Sequence, residues 1–268
     1  LIGTGGFASG PMLFVGGIMG SKTFLQEQNS FPGITNKLLA KRASGIAVAY
    51  PNMEHYFPRQ KLLYTGNPVR KSLLNITSLR EQGLDHFNLD PTKKTLVVVG
   101  GSLGARAIND LIAGQVDLFT QLNLQVIWQC GKMYFEDYAS FNSKSIQVHS
   151  FIQEMDYLYA AADIIISRAG ASSISELSIV AKPLILIPSP NVAENHQHKN
   201  ATVLAERGAA ILLAESAAKE RFESTLRSHV ASTERQLKMT EALTQMAQPK
   251  ATETIVQHIQ KLTLSHAE

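Results

Sequence analysis

The run Thr95-Leu-Val-Val-Val99 leads into Gly100, Gly101, Ser102 and Gly104, and then into a helical pattern from Ala105 to Ala113. At the carboxyl end of a parallel strand, such a turn presents backbone N–H groups and the positive end of a helix to an anion. The alternative is a turn whose glycines serve only close strand-to-helix packing. No Gly-Lys-Ser/Thr follows, so it is not a Walker loop. A second turn, Gly3-Thr-Gly-Gly-Phe-Ala8, fits the dinucleotide fingerprint G-x-G-x-x-G/A, and Glu27 stands about where an acid would take a ribose. A nicotinamide enzyme is therefore a rival reading. Against it, the helix that follows would hold Gly16, Gly17 and Gly20, each costing roughly 1 kcal/mol relative to Ala.

Three further stretches carry polar chemistry. Ser167-Arg-Ala-Gly-Ala-Ser-Ser-Ile-Ser-Glu176 follows an apolar run and opens a helix. Ser173-x-x-Glu176 reads first as a capping box, in which the carboxylate only reaches back to the cap N–H. At the mouth of a sheet, the same carboxylate is also suited to accept two hydrogen bonds from a ribose diol. Pro188-Ser-Pro-Asn-Val-Ala-Glu-Asn-His-Gln-His-Lys-Asn-Ala201 concentrates amides and imidazoles, which suit the paired hydroxyls of a sugar. His196 and His198 diverge on a helix and have no close third ligand, so no metal site is expected. Gly66-Asn-Pro-Val-Arg70 ends in an Arg whose rigid fork would clamp phosphate or form a salt bridge between domains.

Parallel strands are needed to position such loops. From Lys93 onward, β-branched runs alternate with helical segments in the manner of a doubly wound α/β domain. The expected strands are 95–99, 125–129, 145–149, 163–167, 183–188 and 210–213. Helices are expected at 105–113, 155–161, 173–180 and 196–206, with two or more over 220–264. Before Lys93 about half of a second α/β domain is legible, with an apolar stretch at 11–19, strands at 23–26 and 45–49, and a helix at 35–43. The proline-bearing stretch from Tyr50 to Pro68 reads as a linker.

Composition narrows the function. The 268 residues are 44% hydrophobic and 18% charged, enough for two modest domains. No apolar run approaches the roughly 20 residues of a membrane span, and the first residues do not resemble a signal peptide. A formal net charge of +3 gives nucleic-acid binding no support. The single Cys130 excludes an internal disulfide and fits a reducing compartment.

Eight segments in order, GTGGFASGP (3–11), EQN (27–29), TNKLLAKRA (35–43), GNPVR (66–70), GGSLGAR (100–106), FIQEM (151–155), RAGASSISE (168–176) and the loop 194–200, resemble the MurG family of peptidoglycan N-acetylglucosaminyltransferases. The resemblance implies an α/β GT-B glycosyltransferase, with two Rossmann-like domains facing across a cleft, needing no metal or cofactor. Its implied division is an incomplete N-terminal acceptor domain at 1–66, a UDP-sugar domain at 67–240, and a C-terminal helix at 241–268 that packs back on the first domain. The implied reaction moves N-acetylglucosamine from UDP-N-acetylglucosamine to undecaprenyl-pyrophosphoryl-MurNAc-pentapeptide (lipid I) with inversion, giving lipid II. The implied place is the cytoplasmic face of the bacterial inner membrane, peripherally bound, among cell-wall synthesis and division proteins.

Family roles then fall on matching positions. Ile152 lies in the stretch whose backbone receives uracil, Glu176 matches the ribose-binding acid, and Arg70 and Ser102 match diphosphate contacts. Gln197 and His196 match the sugar-binding glutamines. Gly5, Gly6, Ser9 and Asn29 line the acceptor side, with Glu27 and Asn29 in supporting catalytic roles. Leu103 and His196 stand where the family usually has Gln. The family's first glycine loop, with the His proposed as base, and its apolar, basic-rimmed membrane patch are not expected in this chain. No base is assigned, and the 268 residues alone are expected to bind donor weakly and not to turn over. A GT-B transferase with another acceptor and a non-catalytic UDP-sugar-binding fragment remain open alternatives.

Overall fold

The structure, a computed structural model, describes residues 1–264. In its first part, four short runs pair in sequence order as one parallel sheet: β1 (Ile2–Gly3), β2 (Phe24–Glu27), β3 (Gly45–Val48) and β4 (Leu62–Tyr64). The turn after β1 opens the helix Ser9–Ile18, which contains Gly10, Gly16 and Gly17. The helix forms despite these glycines, with Gly20 beyond its end. A Cβ on Gly16 would lie 2.0 Å from Leu1 Cδ1, and one on Gly3 would lie 2.0 Å from Leu13 Cδ1.

The expected linker is also corrected. Within 50–68 lie two short 3-10 turns, Met53–His55 and Arg59–Lys61, and the whole of β4, whose Leu62, Leu63 and Tyr64 pair with Ile46, Ala47 and Val48. Met53 and Phe57 within this segment are buried.

The chain divides into two compact units, one formed by Leu1–Val69 and the segment from Ala247 onward, the other by Arg70–Met246. The helix Thr233–Met246 closes the second unit, whereas Ala251–Leu264 belongs to the first. There Ile255 packs on Phe24 and Ala47, and the His258 ring lies 5.7 Å from that of Phe24.

The second unit is built on six parallel strands: β5 (Lys94–Val99), β6 (Leu124–Gln129), β7 (Ile146–His149), β8 (Ile164–Ser167), β9 (Leu184–Leu186) and β10 (Ile211–Leu212). Their spatial order is β10-β9-β8-β5-β6-β7. This is the doubly wound order of dinucleotide-binding folds, with its switch point between β5 and β8. Helices cover both faces, so the central strands are dominated by buried apolar residues. Leu96, Val98, Trp128, Ile164, Ile166 and Ile185 form the core with Phe119 and Phe222. The loops leaving β5 and β8 diverge at the switch point and open a crevice at the carboxyl ends of the strands.

One buried group makes this unit acid-sensitive. His229, on the helix Glu215–Ala231, is fully buried and neither ring nitrogen has a hydrogen-bond partner. Burial, reinforced by Arg235 and Lys94, pushes its pKa from 6.5 down to about 4. Between those values the unfolded chain binds a proton that the folded one does not. The contribution is therefore complete above 6.5 and is lost as pH falls toward 4. Melting temperature is expected to fall across that window, and His229→Leu should flatten the fall. An unchanged slope in thermal melts of His229→Leu would assign the acid sensitivity elsewhere.

Candidate functional site

The glycine turn after β5 is shaped by backbone conformations open to glycine. Gly101 has φ +94° and Gly104 φ +79°, and the turn closes with the Gly104 N–H donating to the Gly101 carbonyl at 3.0 Å. It is seated on the turn that follows β6. A Cβ on Gly104 would fall 2.0 Å from the Cys130 carbonyl oxygen, and one on Gly131 (φ +95°) would fall 2.4 Å from that of Leu103. The helix Arg106–Ala113 reinforces the contact from the side. Its Asn109 Nδ2 donates to the Cys130 carbonyl at 2.9 Å, while Trp128 Nε1 donates to Asn109 Oδ1 at 3.0 Å.

A cleft of about 380 Å³ opens beside this turn, lined by Arg70, Gly101, Ser102, Gln129, Ile152 and Glu176 among others. That lies within the roughly 300–1,000 Å³ usual for small-molecule sites. Arg70 and Glu176 meet there as a two-point ion pair, with Nε to Oε1 at 2.8 Å and Nη2 to Oε2 at 3.1 Å. The carboxylate raises the Arg70 pKa, chiefly through that hydrogen bond. Buried Tyr159 forms another wall, its phenol pushed far up by desolvation and by Glu176.

The pair also corrects the capping box. The helix starts at Ala171 with Gly170 as its cap residue and no side-chain capping bond, so Ser173 lies inside the first turn. Glu176 is thereby one turn into the helix, with its carboxylate in the cleft.

Gln129, the last residue of β6, is absent from the sequence-derived candidates. It is 2% exposed, its Oε1 accepts from the Ile152 N–H at 2.8 Å, and its Nε2 donates to the Gly101 carbonyl at 3.2 Å. Ile152 thus lines the cleft with its N–H already bonded. A polar residue directly after the apolar Val126-Ile127-Trp128 at the strand's end was the available signal.

His196 and Gln197 begin the helix His196–Glu206, after a loop in which Glu194 and Asn195 both have φ +53°. They are not brought into the lining of the cleft. Gln197 Oε1 accepts from the Ser189 N–H at 2.9 Å and the Ala169 N–H at 3.4 Å, which ties this loop to the turn after β8. His196 Nδ1 lies 2.7 Å from the Ala193 carbonyl. Among the described residues, no three His, Cys, Asp or Glu side chains gather in a metal-holding group.

In the first unit, Gly5, Gly6, Ser9, Glu27 and Asn29 form a separate cluster. Gly5 (φ +82°) and Gly6 (φ +78°) bend the turn, and Ser9 Oγ donates to the Gly5 carbonyl at 2.8 Å. Buried Glu27 accepts from the N–H groups of Asn29 and Gly33 and from Asn36 Nδ2, at 3.0, 3.1 and 2.8 Å. Its carboxylate holds the loop to the helix Ile34–Leu39 and is not placed as the ribose acid of a dinucleotide site. The same unit exposes Phe7, Met12, Ile18, Met19 and Leu38, with Lys41 and Arg42 also exposed and Arg42 over the Phe14 ring.

The model of the glycosyltransferase family 28 C-terminal domain matches residues 95–255. A UDP-N-acetylglucosamine--N-acetylmuramyl-(pentapeptide) pyrophosphoryl-undecaprenol N-acetylglucosamine transferase of Flavobacterium psychrophilum is 53% identical over 99% of this chain and 72% of its own length. The protein of the same name from Christiangramia forsetii is 48% identical over 98% of this chain and 72% of its own. The crystal structure of MurG from Acinetobacter baumannii superposes with a TM-score of 0.78 at 29% identity, covering 97% of this chain and 72% of that one.

Proposed function

The chain belongs to the UDP-N-acetylglucosamine--N-acetylmuramyl-(pentapeptide) pyrophosphoryl-undecaprenol N-acetylglucosamine transferase family, with its α/β GT-B fold, and on that premise we propose that it serves the conversion of lipid I to lipid II. In this reading the donor is UDP-N-acetylglucosamine, and its UDP lies in the cleft of the second unit. The observation that carries it is the Arg70–Glu176 pair beside the glycine turn. A guanidinium, the Ser102 hydroxyl and oriented N–H dipoles are what a departing diphosphate needs. The carboxylate in the same cleft suits the ribose diol, and the backbone around Ile152 suits the uracil.

The acceptor hydroxyl attacks the anomeric carbon from the face opposite UDP. The new C–O bond forms as the bond to the phosphate oxygen breaks, which inverts the centre, and the hydroxyl proton passes to a general base, a role assigned to none of the residues named here. Charge then develops on the diphosphate, so Arg70 contributes most in the transition state, when the leaving oxygen is most negative. Gln197 and His196 are assigned to the sugar hydroxyls, and Gly5, Gly6, Ser9 and Asn29 to the acceptor side. The contacts of Glu27 favour a loop-holding role over a chemical one.

Lipid I is a membrane substrate, and no helix among the described residues is long and apolar enough to cross a bilayer. The exposed Phe7, Met12, Ile18, Met19 and Leu38 with nearby Lys41 and Arg42 support peripheral binding to an anionic cytoplasmic face. Enzymes of cell-wall synthesis and division are the protein partners this place implies. Vesicles of anionic phospholipid carrying lipid I test both halves of the reading. Labelled N-acetylglucosamine should pass to the lipid once the chain, which spans 72% of its Flavobacterium psychrophilum relative, is completed with that relative's remaining residues, and the chain itself should sediment with the vesicles less strongly after Phe7→Ser and Met19→Ser. Transfer to a different acceptor, with none to lipid I, would overturn the assignment, and unchanged sedimentation of the double variant would overturn the membrane surface.

A further inference from the structure

We propose that Gln129 is a positioning residue that fixes the separation between the two ends of the nucleotide cleft, an inference resting on the donor-site reading above. β6 lies between β5 and β7 in the sheet. The loops that line the cleft leave the strands on either side: the turn carrying Gly101 and Ser102 follows β5, and the segment carrying Phe151 and Ile152 follows β7. The last side chain of the middle strand reaches both. Its Oε1 takes the Ile152 N–H at 2.8 Å and its Nε2 gives a hydrogen to the Gly101 carbonyl at 3.2 Å. Since an N–H only donates and a carbonyl only accepts, the two partners dictate one orientation of the amide. With 2% of the residue exposed, that bridge is shielded from competing water.

A ligand held at its base and at its diphosphate gains from its own connectivity only where the two subsites stand at the matching distance. The contact of Gly104 with the Cys130 carbonyl seats the phosphate turn on the end of β6. Gln129 extends that seat to the base segment, and so couples one end of the cleft to the other. Its removal should affect the advantage of the whole nucleotide over its parts more than the affinity of either part.

The test measures dissociation constants of UDP, uridine and pyrophosphate by titration of the whole chain and of Gln129→Leu. UDP binding is expected to weaken about tenfold or more, while uridine and pyrophosphate each stay within about twofold. Leucine leaves the Ile152 N–H and the Gly101 carbonyl without partners, so Gln129→Glu is a second variant if the first fails to fold. Glutamate keeps an acceptor for Ile152 but turns an oxygen toward the Gly101 carbonyl, and should show the same selective loss. A change equal for all three ligands, or absent for all three, overturns the bridge while leaving the donor site standing. An unmodified chain that binds uridine and pyrophosphate but has no preference for UDP overturns the bridge as well. If that chain binds none of the three, the donor-site reading falls and the bridge with it.

Discussion

Arg70→Ala is expected to weaken UDP binding by about a hundredfold, and Glu176→Ala by about tenfold. Hydrogen bonds to charged groups contribute roughly 1.5–3 kcal/mol, and each 1.4 kcal/mol is a factor of ten. Arg70 stands at the upper end because Glu176 already holds its fork at two points, so little side-chain freedom is lost when diphosphate arrives. Glu176→Ala has opposing effects, since it removes the ribose acceptor and leaves the Arg70 charge unpaired. The ligand series separates them. The unmodified protein should prefer UDP to 2′-deoxy-UDP, a preference that Glu176→Ala abolishes and Arg70→Ala retains. Arg70→Ala should instead lose most of the preference for UDP over uridine. If Glu176→Ala still discriminates the 2′-hydroxyl, the carboxylate serves only to hold Arg70.

The largest stability change is expected from Gly104→Ala. An L-residue at φ +79° is strained by roughly 1–2 kcal/mol, and the added methyl would meet the Cys130 carbonyl oxygen at 2.0 Å. Backbone rather than a flexible side chain blocks the space, so the turn must move off the end of β6. A loss of about 3–5 kcal/mol follows, or about 10 °C in melting temperature for a unit of this size. Gly101→Ala is the control, because at φ +94° it meets nothing within 4 Å and should show strain alone. Melting temperatures within about 2 °C of each other would mean that the glycine turn is not seated on β6.

The strands of the second unit were legible because most carry a buried β-branched or apolar run, such as Leu96–Val99, Val126–Trp128, Ile164–Ile166 and Leu184–Leu186, bounded by glycine, proline or polar residues. β4 was not, since its three half-buried or exposed residues lie among prolines and make sense only beside β3. The helix Ser9–Ile18 was doubted because its glycines were weighed by local propensity, while the packing of Gly16 on Leu1 is tertiary. Glu176 illustrates the same limit from the opposite side. Ser-x-x-Glu spacing is local information, but Gly170 caps the helix three positions before the serine would. Arg70 and Glu176 could be singled out one by one, yet nothing in either motif says that they pair. Gln129 needed three strands in order before its amide had meaning.

Because Ile255 closes over Phe24 and Ala47, the earlier-made of the two sheets is the later to be finished. The contiguous stretch Arg70–Met246 holds its whole core in one span and can consolidate while synthesis continues. The earlier sheet must wait with Phe24 and Gly45 uncovered until Ala251–Leu264 emerges, and the long closure makes that step slow. A stop codon placed just before Ala251 would thus spare the later-made unit and strip the earlier one.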